Sequence, residues 1–538
     1  MRKQTKLVAV LSTAALLALG ASMSSFAATG WQEENGTWVY YDKSGDTVTE
    51  TWAKSGDNWF YLNDDGEMTT DAIVEYKDNY YYVDENGAMV ANKWVSVENE
   101  DYDGEDEPIN YWYYFGANGK AYTGSNDKPS FKTVNGKKYT FDEEGRMQYG
   151  WIGDDGKRNS ADDAWKEAKY FCGDENDGAQ STGWKLIDIV DTDSENDMAP
   201  ITSSKNVFDD EDQSRWFWFK ANGKKEANTD GTTINGAKYS FDEFGRMNAE
   251  WVTKKDATPG TATTSEWRYF RSVDDGARVT KGWFKVVPDE RLNAEDYDDD
   301  SDSWYYADGK GSLYANKIKE INGKRYAFDE LGQMKSGLRL VKLGDTSSEI
   351  LEIKGSDVKG REIDTKDDFL KNINAWLEEG FRVYSFGDGD DGAMKTGKQT
   401  ITLDGEKFTF NFGKSGVSRG AGKNDIDSKK IYQGGMLLTA DKDDKYAVVM
   451  ITTDADGKTF ELLSSETYLD TYCNQVDSAD LEKDEEKAWT PKTVDANVEF
   501  KLINTSGSIQ SGKSSAKDGE DNIFRQKKED IERIYVKK

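Results

Sequence analysis

Aromatic residues recur along this chain in short runs, each followed by an Asp- or Asn-rich turn that carries a glycine. Near the start the repeat length is about 20 residues: Trp31 and Trp52 are 21 apart, and Trp94 lies 42 beyond Trp52. The first run is Trp38-Val39-Tyr40-Tyr41 with a turn at Gly45, the second Trp59-Phe60-Tyr61-Leu62 with Gly66 and Met68, the third Tyr80-Tyr81-Tyr82-Val83 with Gly87 and Met89. Aromatic and β-branched residues favour strands, and alternate residues of a strand share a face. Each unit therefore predicts a β-hairpin. Asn-Gly pairs at Asn135-Gly136, Asn235-Gly236 and Asn322-Gly323 fit two-residue type I′ turns. One two-stranded hairpin is marginal alone, so the expected fold is mainly β, a solenoid-like array of stacked hairpins burying their ring-rich faces against one another.

A longer cassette follows. Tyr139-Thr140-Phe141-Asp142 recurs at Tyr239 and again at Tyr326, spacings of 100 and 87, each copy lying between a Trp-rich hairpin (Trp112, Trp216, Trp304) and a third hairpin (Tyr170, Tyr269, Tyr384). With a further unit at Phe408-Thr409-Phe410, about thirteen units are recognisable. Acidic insertions separate them, at residues 98–107, 188–212 and 289–302, and are expected to be solvated loops. A short helix is predicted near 366–379: Thr365 to Asp368 resembles a capping box, Phe369, Leu370, Ile373, Trp376 and Leu377 keep helical spacing, and Gly380 ends it. Beyond about 423 the pattern fades. Val448 to Ile451 reads as a buried strand, residues 474–488 as charged loop, and Phe500 to Gly507 as a worn terminal unit. The expected organisation is an export signal (1–27), aromatic repeats of about 20 residues (28–97), three-hairpin cassettes with insertions (98–422) and a degenerate repeat or capping region (423–538).

Composition narrows the chemistry. Hydrophobic residues are 36% and aromatics 13%, leaving about 23% aliphatic and sulfur-bearing residues, few for a large conventional core. A net charge of −32 argues against nucleic acid and anionic lipid as partners. There is no histidine, which removes His-dependent triads and HExxH metal sites. Cys172 and Cys473 are the only cysteines, open to one long-range disulfide or two free thiols. Residues 1–27 pair Arg2, Lys3 and Lys6 with an apolar stretch from Leu7 to Ala21 and small residues before position 28, the pattern of a cleaved secretory signal. No later apolar run follows, so the expectation is a secreted protein, without a membrane span after cleavage, that holds its surface non-covalently.

Gly30-Trp31 with Gly36, Trp38, Tyr40 and Tyr41, and later Thr182-Gly183-Trp184 and Lys281-Gly282-Trp283, resemble the cell-wall-binding repeats also called choline-binding repeats, over roughly residues 30–422. The resemblance implies a hairpin solenoid that binds choline-type ligands of cell-wall teichoic acid, or wall polysaccharide, at the surface of a Gram-positive bacterium. Boxes of rings attract quaternary ammonium groups, and the same rings stack on sugars. Candidate ligand-binding residues are Trp31, Trp38, Tyr40, Trp52, Trp59, Tyr61, Met68, Tyr80, Tyr82, Met89, Trp94, Trp112 and Tyr114, with a Gly-Trp ring from a neighbouring unit closing each box. About half the rings are expected to serve only as core.

No cofactor or metal is expected. Gly387 to Gly392 aligns with turns at Asp177-Gly178-Ala179 and Asp275-Gly276-Ala277, so a turn explains it better than calcium. Carboxylate pairs abound by chance among 102 acidic residues, and no phosphate loop or nucleophile elbow is present. The expectation is therefore a binding protein rather than an enzyme. The alternatives are a glucan- or carbohydrate-binding adhesin and a wall hydrolase with its chemistry in residues 423–538.

Overall fold

The computed structural model describes residues 29–102, 104, 107–125, 127–192, 211–254, 257, 261–346, 348–354, 363–387, 389–455 and 457–538. The expected signal, residues 1–27, lies outside them, as does most of the second acidic insertion. Two compact units are distinguished: residues up to Val190 together with Phe217–Glu226, and Asp191–Trp216 together with Ala227–Lys538.

The chain is mainly β, and the repeats form antiparallel hairpins. In the first unit β1 (Gly30–Glu34) pairs with β2 (Thr37–Tyr41), β3 (Thr51–Ser55) with β4 (Asn58–Leu62), β5 (Ala72–Glu75) with β6 (Tyr80–Val83), β7 (Lys93–Glu98) with β8 (Asn110–Phe115), and β9 (Lys132–Val134) with β10 (Lys137–Tyr139). Asn135, Asn235 and Asn322 adopt φ of 49°, 50° and 51°, each followed by a glycine near 80°, as type I′ turns require. The turn after each second strand is held by its first residue. Asp42, Asn63, Asp84, Asp142, Asp242, Asp308 and Asp329 each accept a hydrogen bond on Oδ1 from the backbone N–H four residues on. Much of the acidity in the repeats is thus turn chemistry.

One bond ties each hairpin to its predecessor. The residue two places after the turn glycine donates its N–H to a carbonyl in the hairpin before: Met68 to Trp38, Met89 to Trp59, Ala121 to Tyr80, Met147 to Trp112, Gln180 to Lys138 and Lys225 to Lys169, all at 2.7–2.8 Å. In the second unit Met247 bonds Trp216, Arg278 bonds Lys238, Met394 bonds Arg325 and Gly422 bonds Val383. The side chain at this position runs the other way, under the turn glycine of the next hairpin. A Cβ on Gly87 would lie 2.8 Å from the Met68 sulfur, and Gly119, Gly178, Gly276, Gly392 and Gly420 meet Met89, Met147, Met247, Met334 and Met394 in the same manner. Gly392 belongs to the segment weighed for calcium, and its place in this series is that of a turn. Because one backbone bond and one side chain make each step, the strands stay in separate small sheets and do not merge into one closed solenoid sheet.

The cassette pattern holds at the level of hairpins. Middle hairpins occur at Thr229–Ile234 with Ala237–Phe241 and at Lys317–Ile321 with Lys324–Phe328, and third hairpins at Glu250–Thr253 with Trp267–Phe270 and at Leu338–Leu343 with Phe381–Ser385. The predicted helix is Lys366–Glu378, with the Thr365 hydroxyl accepting the N–H of Asp368 and Phe369, Ile373 and Trp376 buried.

Two expectations change. The insertion at 289–302 is not all solvated loop: Asp289 is 1% exposed because Arg291 clamps it with two hydrogen bonds, and Ala294–Asp298 is helical. Residues 474–488 include the start of a strand, Glu485–Pro491, paired on both sides in a five-stranded sheet. Its charge hid the strand, yet Ala488 is buried and Glu485, 1% exposed, is neutralised by Arg533, whose guanidinium holds that carboxyl below its usual range. The buried strand expected at Val448–Ile451 is Tyr446–Asp454. Here the packing turns aliphatic, with Val448, Leu463, Leu469, Leu502, Phe524 and Ile534 in one cluster. Phe500 to Ile503 lies on Val498–Asn504 beside it, and Ile509 donates to the carbonyl of Lys429, two residues after Gly507, repeating the inter-hairpin bond.

Cys172 and Cys473 are both free and buried, and burial pushes their thiols up to about 12 and about 11. Little thiolate then exists at pH 8, so a disulfide-exchange reagent is expected to label neither thiol in the folded protein within minutes and both in denaturant. Rapid labelling of the native protein would contradict the burial.

Gly87 takes φ of 78° against the Met68 sulfur. Gly87→Ala combines left-handed backbone cost with overpacking and is expected to lose about 2–4 kcal/mol. In a Met68→Ala background the loss is expected to shrink to the backbone part, as read by denaturant titration.

Candidate functional site: the aromatic seams

Register places the rings. In β1 and β2 Trp31 is opposite Tyr40, in β3 and β4 Trp52 is opposite Tyr61, and in β7 and β8 Trp94 is opposite Tyr114. Each of these first-strand indoles meets its cross-strand tyrosine edge-on, with centroids 5.3, 5.3 and 5.2 Å apart. A third ring comes from the next hairpin: Phe60 lies 5.3 Å from Trp31, Tyr81 5.1 Å from Trp52, and Tyr139 4.9 Å from Trp94. Phe141 also stacks on Trp94 at 5.8 Å. Between the second and fourth hairpins Ile73 takes the place of the tryptophan opposite Tyr82, and Tyr82 stacks on Phe115 at 6.0 Å.

Tyr82 packs apart with Ile73, Val90, Tyr113 and Phe115, and most of the other expected residues fall into three gatherings. Trp31, Trp38, Tyr40 and Met68 share one cluster, Trp52, Tyr61 and Met89 a second, and Trp94, Trp112 and Tyr114 a third. Trp59 and Tyr80 stand outside these clusters, Trp59 40% exposed and Tyr80 half-buried. The closing ring differs in origin from the sequence expectation. The indole that meets Tyr61, that of Trp52, belongs to Tyr61's own hairpin, and the neighbour supplies Tyr81. Phe60, Tyr81, Tyr139 and Phe141 were missed because they occupy the opposite alternation phase of their runs. Counting back from the tight turns to the cross-strand register would have placed Trp31 against Tyr40.

Centroids about 5 Å apart mean that the rings of each triad touch. A ligand must therefore approach an open face, and the outer rings supply one. Trp38, Trp59, Tyr80 and Trp112 begin their runs and sit opposite Glu33, Lys54, Glu75 and Ser96. The carboxylates of Glu33 and Glu75 suit a cationic ligand nearby, whereas Lys54 places its own ammonium 5.8 Å from the Trp59 centroid. The indole N–H groups of Trp31 and Trp52 are buried with no acceptor. The Trp267 indole shares this lack, whereas Trp165 donates to the carbonyl of Val190 at 2.9 Å and Trp251 to that of Val287 at 2.8 Å. Burial raises the pKa of the Tyr61 phenol, and burial with a hydrogen bond to Asp71 raises that of Tyr82, so both walls are neutral at physiological pH.

Residues 48–94, which span the second seam and reach Trp94, match the choline-binding repeat family. Residues 48–94 thus carry the choline-binding repeat signature. A curated relative, glucosyltransferase-S of Streptococcus mutans, is 28% identical over 358 residues, covering 59% of this chain and 22% of its own length. The chain thus spans under a quarter of that relative. Among solved structures, the modular autolysin LytC of Streptococcus pneumoniae is 16% identical with a TM-score of 0.31, covering 59% of this chain and 56% of that one. Choline binding protein F of the same organism is 16% identical with a TM-score of 0.21, covering 77% and 100%.

Burial separates the roles of rings in these hairpins. Trp31, 8% exposed, touches two rings, so Trp31→Ala is expected to cost about 3–5 kcal/mol of stability. Trp59→Ala is expected to cost under about 1 kcal/mol in the same denaturant titration.

Proposed function

We propose that this chain is a secreted, non-covalently attached cell-wall-binding surface protein, exported by residues 1–27 and held by its repeats on choline-type groups of wall teichoic acid or on wall polysaccharide. The observation that carries the reading is the recurrence of one ring triad in the N-terminal repeats, at Trp31-Tyr40-Phe60, Trp52-Tyr61-Tyr81 and Trp94-Tyr114-Tyr139. Each triad lies in a cluster with the residue two places after the following turn, Met68, Met89 or Met147. Trp38, Trp59, Tyr80 and Trp112 are the outer faces on which an ammonium group or a sugar would rest, and Tyr82 lines the seam that lacks a Gly-Trp ring. One ring face contributes about 0.5–2 kcal/mol to a quaternary ammonium, so each site is weak, and several sites on one solenoid-like stack gain retention by avidity.

In this reading residues 28–97 are the main ligand-binding block, residues 98–422 carry further hairpin cassettes and display acidic insertions, and residues 423–538 are a degenerate repeat or capping region. The bond from Ile509 to Lys429 supports the last assignment. The role is binding rather than catalysis. A second reading, a glucan-binding adhesin, is favoured by the exposed Trp59 ring and by the similarity to a glucosyltransferase.

Purified protein is expected to be retained on a choline-bearing column and released by free choline but not by soluble glucan. Passage through the column would remove choline as the ligand, and retention on glucan released only by glucan would select the adhesin.

A further inference from the structure

The seat two places after a turn glycine holds a methionine beside the seams of Trp31, Trp52 and Trp94, namely Met68, Met89 and Met147, and Leu313 beside that of Trp251. Beside Trp151 it holds Lys225. The rings there repeat the triad: Trp151 lies opposite Phe171, 4.9 Å from it, and takes Phe217 from the next hairpin at 5.3 Å. The Lys225 ammonium stands 5.2 Å from the Trp151 centroid and 5.7 Å from that of Phe217, and donates a hydrogen bond to the carbonyl of Trp165. Its backbone N–H is fixed to the carbonyl of Lys169 at 2.7 Å. Among the described residues no lysine or arginine lies over Trp31 or Trp52.

We infer that Lys225 is a built-in ligand of the Trp151 box and a specificity-determining residue: its ammonium occupies the cation position and closes this seam to free quaternary ammonium compounds. This inference rests on the ring-box reading of function proposed above. The argument is chemical. A primary ammonium on a flexible stem offers both a charge for the ring faces and N–H donors for the Trp165 carbonyl. A trimethylammonium group has no N–H to give that carbonyl. The tether also presents the lysine at an effective concentration on the order of millimolar, against which a weakly bound free ligand must compete. Lys225 stands at the position where the seams of Trp31, Trp52 and Trp94 keep a methionine, so Lys225→Met restores the composition of those seams without adding volume.

The test uses the full-length chain and choline chloride. In the wild type the ε-methylene protons of Lys225, assigned by their loss in Lys225→Met, are expected to be shifted upfield by the indole ring in the absence of choline. Calorimetric titration is expected to give one more choline site per chain in Lys225→Met than in the wild type, and Lys225→Met combined with Trp151→Ala is expected to lose that added site. Unchanged stoichiometry in a Lys225→Met protein with native near-ultraviolet circular dichroism overturns the inference, as does an unshifted Lys225 resonance. A wild type that binds no choline defeats the functional reading alone, because the ring-current shift and a site gained from zero still establish the occupied box.

Discussion

The repeat region depends on the residue two positions after each turn glycine. Its N–H reaches back to the preceding hairpin, its side chain reaches forward beneath the next turn, and its own strand continues the hairpin between. One residue therefore contacts three consecutive units. A lone two-stranded hairpin has too little buried area to persist, and this contact makes the stability of each hairpin conditional on its neighbours. It also explains the glycine. The turn needs a left-handed backbone, and it needs no Cβ, because the sulfur or methylene from the previous unit already fills that space. Methionine suits the seat since its unbranched stem bends to the gap that each pair of turns leaves.

The same thin architecture explains the composition. A two-stranded element has no second layer to cover it, so its side chains must be core on one edge and surface on the other. Flat rings achieve this where aliphatic chains do not: Trp31 is almost wholly enclosed by Tyr40 and Phe60, while Trp59 leaves much of its ring in water. The acidity has a structural part as well. The first carboxylate or amide of each turn accepts a backbone N–H, so Asp42, Asp84, Asp142 and Asp242 are fixed by turn geometry, and the insertions add the rest. Where the sheets widen beyond Gly397, interior strands exist and the packing becomes aliphatic, as at Val448, Leu502 and Ile534.

Much of this was legible in the sequence. Period, turn glycines and Asn-Gly pairs located the hairpins, and Thr365 with its helical spacing located the helix. Two kinds of information were not local. The closing rings Phe60 and Tyr81 come from the alternation phase that faces the preceding unit, and only the cross-strand register shows that the first-strand indole meets its own tyrosine first. Charged text concealed structure where partners lie far along the chain: Glu485 is buried against Arg533, 48 residues away, and a charge count over 474–488 could not anticipate that pairing. Asp289 illustrates the same point at short range, since Arg291 folds back on it and covers its carboxylate.

Ring count alone therefore overstates binding capacity. A triad whose centroids lie near 5 Å has spent its inner faces on packing, and what remains for a ligand is set by the outer ring, by the charge opposite it and by the side chain in the seat beside it. Glu33 and Glu75 make their outer rings attractive to a cation, and Lys54 makes Trp59 less so. A neutral ligand such as a sugar is indifferent to that charge and depends on exposed ring area, which Trp59 has most of among the candidate rings. Cationic and sugar ligands would thus favour different hairpins of the same stack, and the sign of the residue opposite each outer ring is what separates them.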